Sequence, residues 1–258
     1  QLAPIVVTAT RSAKSIADIA GTVYSIDQAE IEKQANAGKS IADILGTLVP
    51  SLTPSSGTTS NYGMTMRGRV VQYMIDGVSQ TGSRDVARQL NSISPNMIDH
   101  IEVVSGATSI YGSGATGGII NIITKRGGQD PISFETKVGV TAGNNFKSDA
   151  MAYEASQSVL FNQGALQGAF GASYTTRGEI QDSHGNRIGP EVAQTDRQDT
   201  DTLDLNGRLT WNISDEQSLS FGAQYFNDEQ DSEYGPDYGP NLAYVKRDPT
   251  YTASLAAV

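Results

Sequence analysis

Leu203-Asp204-Leu205-Asn206-Gly207-Arg208-Leu209-Thr210-Trp211-Asn212-Ile213 is the stretch on which the fold turns. Leu203, Leu205, Leu209, Trp211 and Ile213 fall at alternate positions with Gly207 among them, and Asp204, Asn206, Arg208, Thr210 and Asn212 fall between. A side-chain period of two belongs to a β-strand with two unlike faces, one apolar and one polar.

The same pattern surrounds it. Leu166, Phe170, Ala172 and Tyr174 alternate with Gln167, Ala169, Ser173 and Thr175. Phe134, Val138 and Val140 oppose Glu135 and Lys137, and Leu219, Phe221, Ala223 and Tyr225 oppose Ser218, Ser220 and Gln224. Residues 150–161 carry the weakest version, which makes five strands. The links alternate in length. Asn162-Gln163 and Ser214-Asp215-Glu216 are tight, whereas 178–200 and 228–258 are long and rich in Gly, Asp and Tyr; the link around Gly143-Asn144-Asn145 is short for the long series. Tight turns at one end and long loops at the other, with strands of about 9–11 residues, describe a membrane β-barrel. A soluble β-sandwich is the alternative, and it would favour larger apolar side chains and no loop asymmetry. Bacterial barrels close with an even number of at least about eight strands. An open edge cannot face lipid, so five strands imply part of a longer protein.

Upstream of Gly127-Gly128-Gln129-Asp130-Pro131 the pattern is mixed. Asp27 with Glu30, and Ser40 with Asp43, have the spacing of helix N-terminal caps. Ile41, Ile44, Leu45 and Leu48 share one helical face, and Pro50 ends that helix. Met64–Met66, Gln72–Ile75, Ile98–Val104 and Ile119–Thr124 read as short strands, with Asp76-Gly77 as a turn. Residues 1–12 read as an extended tail, with an ordinary first strand as the alternative. The divisions are therefore 1–12 (tail), 13–128 (mixed α/β domain) and 129–258 (antiparallel strands with two long loops). The fold class is mainly β.

The net charge of −10 disfavours nucleic-acid binding, which needs a basic stripe. The absence of Cys removes disulfides and thiolate chemistry, and two histidines are too few for a His-rich metal site. Gly112-Ser113-Gly114-Ala115-Thr116-Gly117 has the dinucleotide-binding spacing but runs into the β-branched Ile119–Thr124, so no helix N-terminus is available for a pyrophosphate. The acidic run Asp228, Glu229, Asp231, Glu233, Asp237 lacks EF-hand order and reads as a solvated loop. Within it Tyr234-Gly235-Pro236-Asp237 is echoed by Tyr238-Gly239-Pro240-Asn241, two turns that would present two tyrosines. His100 lies in an apolar strand and His184 in a polar loop. Nothing points to an enzyme.

Ile101-Glu102-Val103, Tyr111-Gly112-Ser113-Gly114-Ala115-Thr116-Gly117-Gly118 and Ile119-Ile120-Asn121-Ile122-Ile123-Thr124-Lys125, with Met66-Arg67-Gly68 and Ile75-Asp76-Gly77-Val78, resemble the plug of TonB-dependent outer-membrane receptors. Ile5-Val6-Val7-Thr8-Ala9 resembles the TonB box. Asn61-Tyr62-Gly63-Met64, Arg67-Gly68-Arg69, Arg88-Gln89-Leu90, His100-Ile101-Glu102-Val103 and Gly106-Ala107-Thr108-Ser109 are most similar to the aerobactin-receptor branch, which imports ferric citrate-hydroxamate siderophores.

The resemblance implies a mixed α/β plug followed by the first strands of an antiparallel outer-membrane barrel of about 22 strands, with its tail in the periplasm. It implies a transporter for a ferric siderophore, powered by TonB pairing as a strand with Ile5, Val6, Val7, Thr8 and Ala9. Iron would travel as its chelate, with no resident cofactor and no protein metal ligands. Loops 55–62 and 80–88 would face outward, making Ser60, Asn61, Tyr62, Ser83, Arg84 and Arg88 candidates for siderophore contact, with Tyr234 and Tyr238 from the barrel loops. Where many members carry Arg-Gly-Pro this chain has Ser105-Gly106-Ala107, so the plug–barrel ion-pair lock would rest on Arg67. Other implied partners are outer-membrane lipid and bacteriocins or phages. The competing functions are another cargo, such as cobalamin or haem, and a surface docking or adhesion barrel.

Overall fold

A computed structural model describes residues 6–7, 14–15, 22–57, 61, 63–80, 86–106, 115–143, 146–179, 181–186, 200–214, 217–236 and 244–257. The chain divides into two compact units. The first comprises 1–56, 60–91 and 98–124; the second takes 57–59, Ser92–Met97 and everything from Lys125 onward.

The first unit is built on a five-stranded sheet and two helices. Strand β1 (Val6–Val7) pairs antiparallel with β2 (Lys14–Ser15) in a separate two-stranded ladder. Strand β3 (Thr22–Asp27) runs directly into α1 (Gln28–Ala35), whose first turn is capped by the Asp27 carboxylate accepting the Glu30 N–H at 2.9 Å. Helix α2 (Ile41–Leu48) carries the full reciprocal box between Ser40 and Asp43, and Val49 leaves it in extended conformation ahead of Pro50. Ile41, Ile44 and Leu45 are buried along its apolar face. Strands β4 (Val71–Ile75), β5 (Val78–Ser79), β6 (Ile98–Ser105) and β7 (Gly118–Thr124) complete the sheet in the order β3-β6-β7-β4-β5. Among the described strands, only β4 and β7 pair parallel. Every residue of β7 is buried, which explains its uninterrupted β-branched run.

One expectation for this unit changes, and one strand was not anticipated. Met64–Met66 is not a strand: Met66 and Arg69 exchange backbone hydrogen bonds at 2.9 and 3.0 Å around Arg67 and Gly68, both with positive φ. Buried Met64 and Met66 on either side of half-buried Thr65, just ahead of the turn, mimic strand alternation. Thr22–Asp27, not read from the sequence, forms an edge strand whose last residue, Asp27, also caps α1.

The second unit is an antiparallel meander of six strands: β8 (Ile132–Thr141), β9 (Ala152–Gln163), β10 (Leu166–Arg177), β11 (Thr200–Asn212), β12 (Ser218–Pro236) and β13 (Tyr244–Ala257). The expected five strands become six, because 228–258 is not one loop. β12 continues to Pro236, and β13 pairs back against it. The register shifts between Ser232 and Tyr234, and the unpaired Arg247, Asp248 and Pro249 lie opposite that break. Proline, lacking an N–H, is tolerated at such a break on an edge strand. Six strands still leave two edges, β8 and β13.

The alternation holds along the meander. Phe134, Val138, Phe170, Tyr174, Trp211 and Phe221 lie on the exposed apolar face. The opposite face buries Ser158, Asp204, Thr210 and Asp228 with Leu160, Ala169 and Phe226. The Phe170 ring lies across Gly207 of the neighbouring strand, where a Cβ would come within 2.6 Å of it. Phe161 stacks on Phe170 with ring centroids 6.1 Å apart.

Candidate functional site

Two segments flank the β4–β5 hairpin in sequence. Of these, 58–60, Tyr62 and 81–85 lie outside the described residues, and with them Ser60, Tyr62, Ser83 and Arg84. What is described is the tie between the segments. Asn61 is 2% exposed, and its amide donates to the Ala87 carbonyl at 3.1 Å across 26 residues of chain. The Ser55 hydroxyl donates to the Asn61 side-chain oxygen at 3.4 Å. Asn61 adopts φ +50°, a left-handed conformation that asparagine accepts more readily than most residues. Ala87 sits in the 3-10 helix Val86–Ser92. Asn61 therefore links Ser55 to Ala87. Arg88 belongs to the same 3-10 helix; its side chain lies outside the described residues.

A largely buried polar network runs through the sheet of the first unit. Asp76 and Gly77 form a two-residue turn with φ +50° and +81°, the conformation of a tight hairpin. The Asp76 carboxylate accepts the Thr124 N–H at 3.0 Å and the Thr124 hydroxyl at 2.6 Å. The Gly77 N–H donates to the Asn121 side-chain oxygen at 3.0 Å, and the Asn121 amide donates to Glu102 at 3.1 Å. Glu102 lies 3.5 Å from His100 Nε2, whose Nδ1 is 2.6 Å from the Asp99 carboxylate. Asp99 chiefly, then Glu102, raises the His100 pKa to about 9 against the opposing effect of burial. The chain of contacts runs through β6, β7 and the β4–β5 turn. It gives the hairpin, and the segment leaving it at residue 80, a fixed base.

In the second unit, Ser92–Met97 lies on the polar face of the meander. The Ser94 N–H donates to the Asp204 carboxylate at 2.7 Å, and the Asn206 amide donates to the same oxygen at 3.1 Å. The Gln224 amide donates to the Ser92 carbonyl, and the Asn96 amide to the Ser156 hydroxyl. Further along the face, the Thr202 hydroxyl donates to Asp228 at 2.7 Å.

Among the described residues no cluster of three or more His, Asp or Glu could hold a metal. Residues 15–119 match the family model described as TonB-dependent Receptor Plug Domain. Over 94% of its length the chain is 38% identical to the rhizobactin receptor of Rhizobium meliloti.

The chain belongs to the TonB-dependent receptors.

Identity to the ferric aerobactin receptor of Klebsiella pneumoniae is also 38%, over 93% of the chain, which places it near the aerobactin-receptor branch. The chain spans about a third of the length of either relative, 33% in both cases. Among solved structures, a mutant form of the ferric enterobactin receptor of Pseudomonas aeruginosa shares the fold, with TM-score 0.64 and 19% identity over 98% of this chain and 39% of that one. The first unit is the plug, and the meander is part of the receptor barrel.

The remaining expected site residues fall as follows. Of the residues expected to form a TonB box, Val6 and Val7 form β1, paired with Ser15 and Lys14, while Ile5, Thr8 and Ala9 lie outside the described residues. Arg67 is exposed at the Met66–Arg69 turn and makes no ion pair with a described residue. Tyr234 is a β12 residue whose backbone pairs with Lys246; Tyr238 lies outside the described residues. His184 is exposed, in a turn where its N–H and that of Asn186 both donate to Asp182. Sequence reasoning did not single out Asp204, Ser94 or the Asp76–Asn121–Glu102 network. The one available signal was that Asp204 falls on the polar side of the Leu203–Ile213 alternation.

Proposed function

We propose that the chain is part of a TonB-dependent outer-membrane transporter that binds and imports a ferric siderophore of the citrate-hydroxamate type. The observation that carries this reading is the extent of the match to the rhizobactin and aerobactin receptors. It runs through 93–94% of the chain, far beyond residues 15–119 of the plug model. Similarity therefore extends into barrel strands and loops, where cargo specificity is built, as well as through a plug common to many cargoes. The exposed apolar face of β8–β12 supports a lipid-facing wall, with Tyr153, Tyr174 and Tyr225 towards the long-loop end and Trp211 towards the tight-turn end.

In this reading the chelate binds above the plug, with Arg84 and Arg88 supplying positive donors, and the iron never leaves its chelator. No resident cofactor or catalytic residue is required. TonB captures Ile5–Ala9 by strand addition and pulls. Asn61 and the Asp76 network hold the outward segments in place for binding. The test is iron-limited growth of a receptor-deletion strain carrying the full-length receptor, fed purified ferric siderophores one at a time. Growth on citrate-hydroxamate chelates supports the cargo; growth on haem or another siderophore class alone removes it.

A further inference from the structure

Among the described side chains on the polar face of β8–β12, the cations are Lys137, Arg177 and Arg208. Lys137 is neutralised by Glu154 of β9, whose carboxylate lies 2.5 Å from its ammonium. Arg208 lies about 26 Å along β11 from Thr200, at roughly 3.3 Å per residue, towards the tight-turn end, and its Nε is buried. Arg177, the last residue of β10, stands at the long-loop end.

Arg177 is exposed and makes no ion pair with a described residue. Its partners across the two ladders are Ala152 of β9 and Thr200 of β11, both small and uncharged. The carboxylates further along β9, β11 and β12 are already engaged: Glu154 by Lys137, Asp204 by Ser94 and Asn206, and Asp228 by Thr202. The backbone beside Arg177 is fixed. The Gly178 N–H donates to the Met151 carbonyl at 2.9 Å, and the Glu179 N–H to the Asp149 carbonyl at 2.6 Å. A Cβ at Gly178 would come within 2.2 Å of the Asp149 oxygen, so only glycine lets the two segments meet there. The guanidinium therefore stands on a rigid base, and a donor so placed loses less freedom on binding.

Resting on the transport reading, in which this face lines the lumen, we propose that Arg177 is an anion-binding residue of the barrel wall that takes a carboxylate of the incoming chelate. The planar guanidinium fork matches a carboxylate with two parallel hydrogen bonds, which an ammonium does not. The chain as a whole is at −10, so an anion reaching the long-loop end needs a local cation that no neighbouring carboxylate has claimed. Arg177 meets that requirement among the described polar-face cations; Lys137 and Arg208 do not. The contact selects by charge: a chelate with a free carboxylate gains the fork, and a neutral chelate gains nothing from it. Arg177 is a donor separate from Arg84 and Arg88, supplied by a strand end and held by both neighbouring strands.

The experiment measures binding of ferric aerobactin to the full-length receptor and to Arg177→Lys, Arg177→Met and Arg177→Glu, each with its barrel still heat-modifiable. Affinity should follow the charge at this position. Arg177→Met should bind about tenfold more weakly than the wild type, Arg177→Lys should recover part of the loss, and Arg177→Glu should be weaker than Arg177→Met. Equal affinity of all four, or a loss in Arg177→Lys as large as in Arg177→Glu, overturns the proposal. A second readout does not depend on the cargo. Arginine modification by phenylglyoxal, mapped by mass spectrometry, should label Arg177 in the ligand-free receptor, and free citrate should slow the labelling more than chloride at the same ionic strength. An unreactive Arg177, which would mean an internal carboxylate already holds it, or citrate no better than chloride, overturns the anion site whatever the receptor imports.

Discussion

Asp76 and Thr124, 48 residues apart, are joined twice: the Asp76 carboxylate accepts both the backbone N–H and the hydroxyl of Thr124, at 3.0 and 2.6 Å. The pair pins the β4–β5 turn to the end of β7, the last plug strand before the barrel. Asp76→Ala removes both bonds and places alanine at φ +50°. Together these should cost about 2–4 kcal/mol of local stability. Asp76→Asn keeps an acceptor and tolerates the turn, so it should cost only ~1 kcal/mol. Hydrogen exchange of β4 and β7 amides in the full-length receptor checks this. Equal protection in the two variants would contradict it.

His100 makes plug stability depend on pH. Its folded-state pKa of about 9 lies above its ordinary value of 6.5 because Asp99 and Glu102 favour the protonated ring. The stabilisation is therefore complete below about 6.5 and is lost as pH rises towards 9. Exchange protection along the β3–β6 ladder should weaken across that window, and His100→Gln should flatten the dependence. A wild-type profile flat between pH 6.5 and 9 would show that the pair contributes nothing.

Much of this was legible beforehand, and the exceptions have physical causes. The barrel strands announced themselves because one face meets an apolar surrounding and the other a polar one, which imposes a strict period of two. The Ser40–Asp43 box marked α2 because capping uses a fixed local spacing. Strand β13 did not announce itself: Pro249 and the polar run from Asp228 read as loop, and only pairing with β12 makes a strand of them. The tie from Asn61 to Ala87 and the clamp of Asp204 on Ser94 join a side chain to a backbone group far along the chain. Such bonds leave no periodic trace. The TonB-box reading rested on motif resemblance, and the β1–β2 pairing is a feature the motif alone did not indicate.

Val7→Pro should separate binding from transport. Proline removes a backbone donor from the segment proposed to pair with TonB. Surface binding of the ferric chelate should persist while uptake is lost. Undiminished uptake by this variant would remove Ile5–Ala9 as the TonB-binding segment.

Arg84 is proposed to meet the anionic carboxylate of a citrate-hydroxamate chelate. The chain carries a net charge of −10, so local positive donors must overcome long-range repulsion. A charge-assisted bond worth ~1.5–3 kcal/mol predicts that Arg84→Ala weakens binding about tenfold or more. Arg88→Ala should have the smaller effect, because Arg88 can instead brace the loop through Asp85. A neutral ferric trihydroxamate should lose less than the anionic chelate. Unchanged affinity of the folded Arg84→Ala receptor for its anionic ligand would refute the assignment.

Energised import of a ferric citrate-hydroxamate siderophore is the activity proposed for the full-length receptor. Its most direct measurement is uptake of radiolabelled iron presented as ferric aerobactin by an iron-starved receptor-deletion strain expressing the full-length receptor, with and without functional TonB. Accumulation that requires both the receptor and TonB is the predicted result. Iron that binds at the surface but never accumulates, or accumulates equally without TonB, would contradict it.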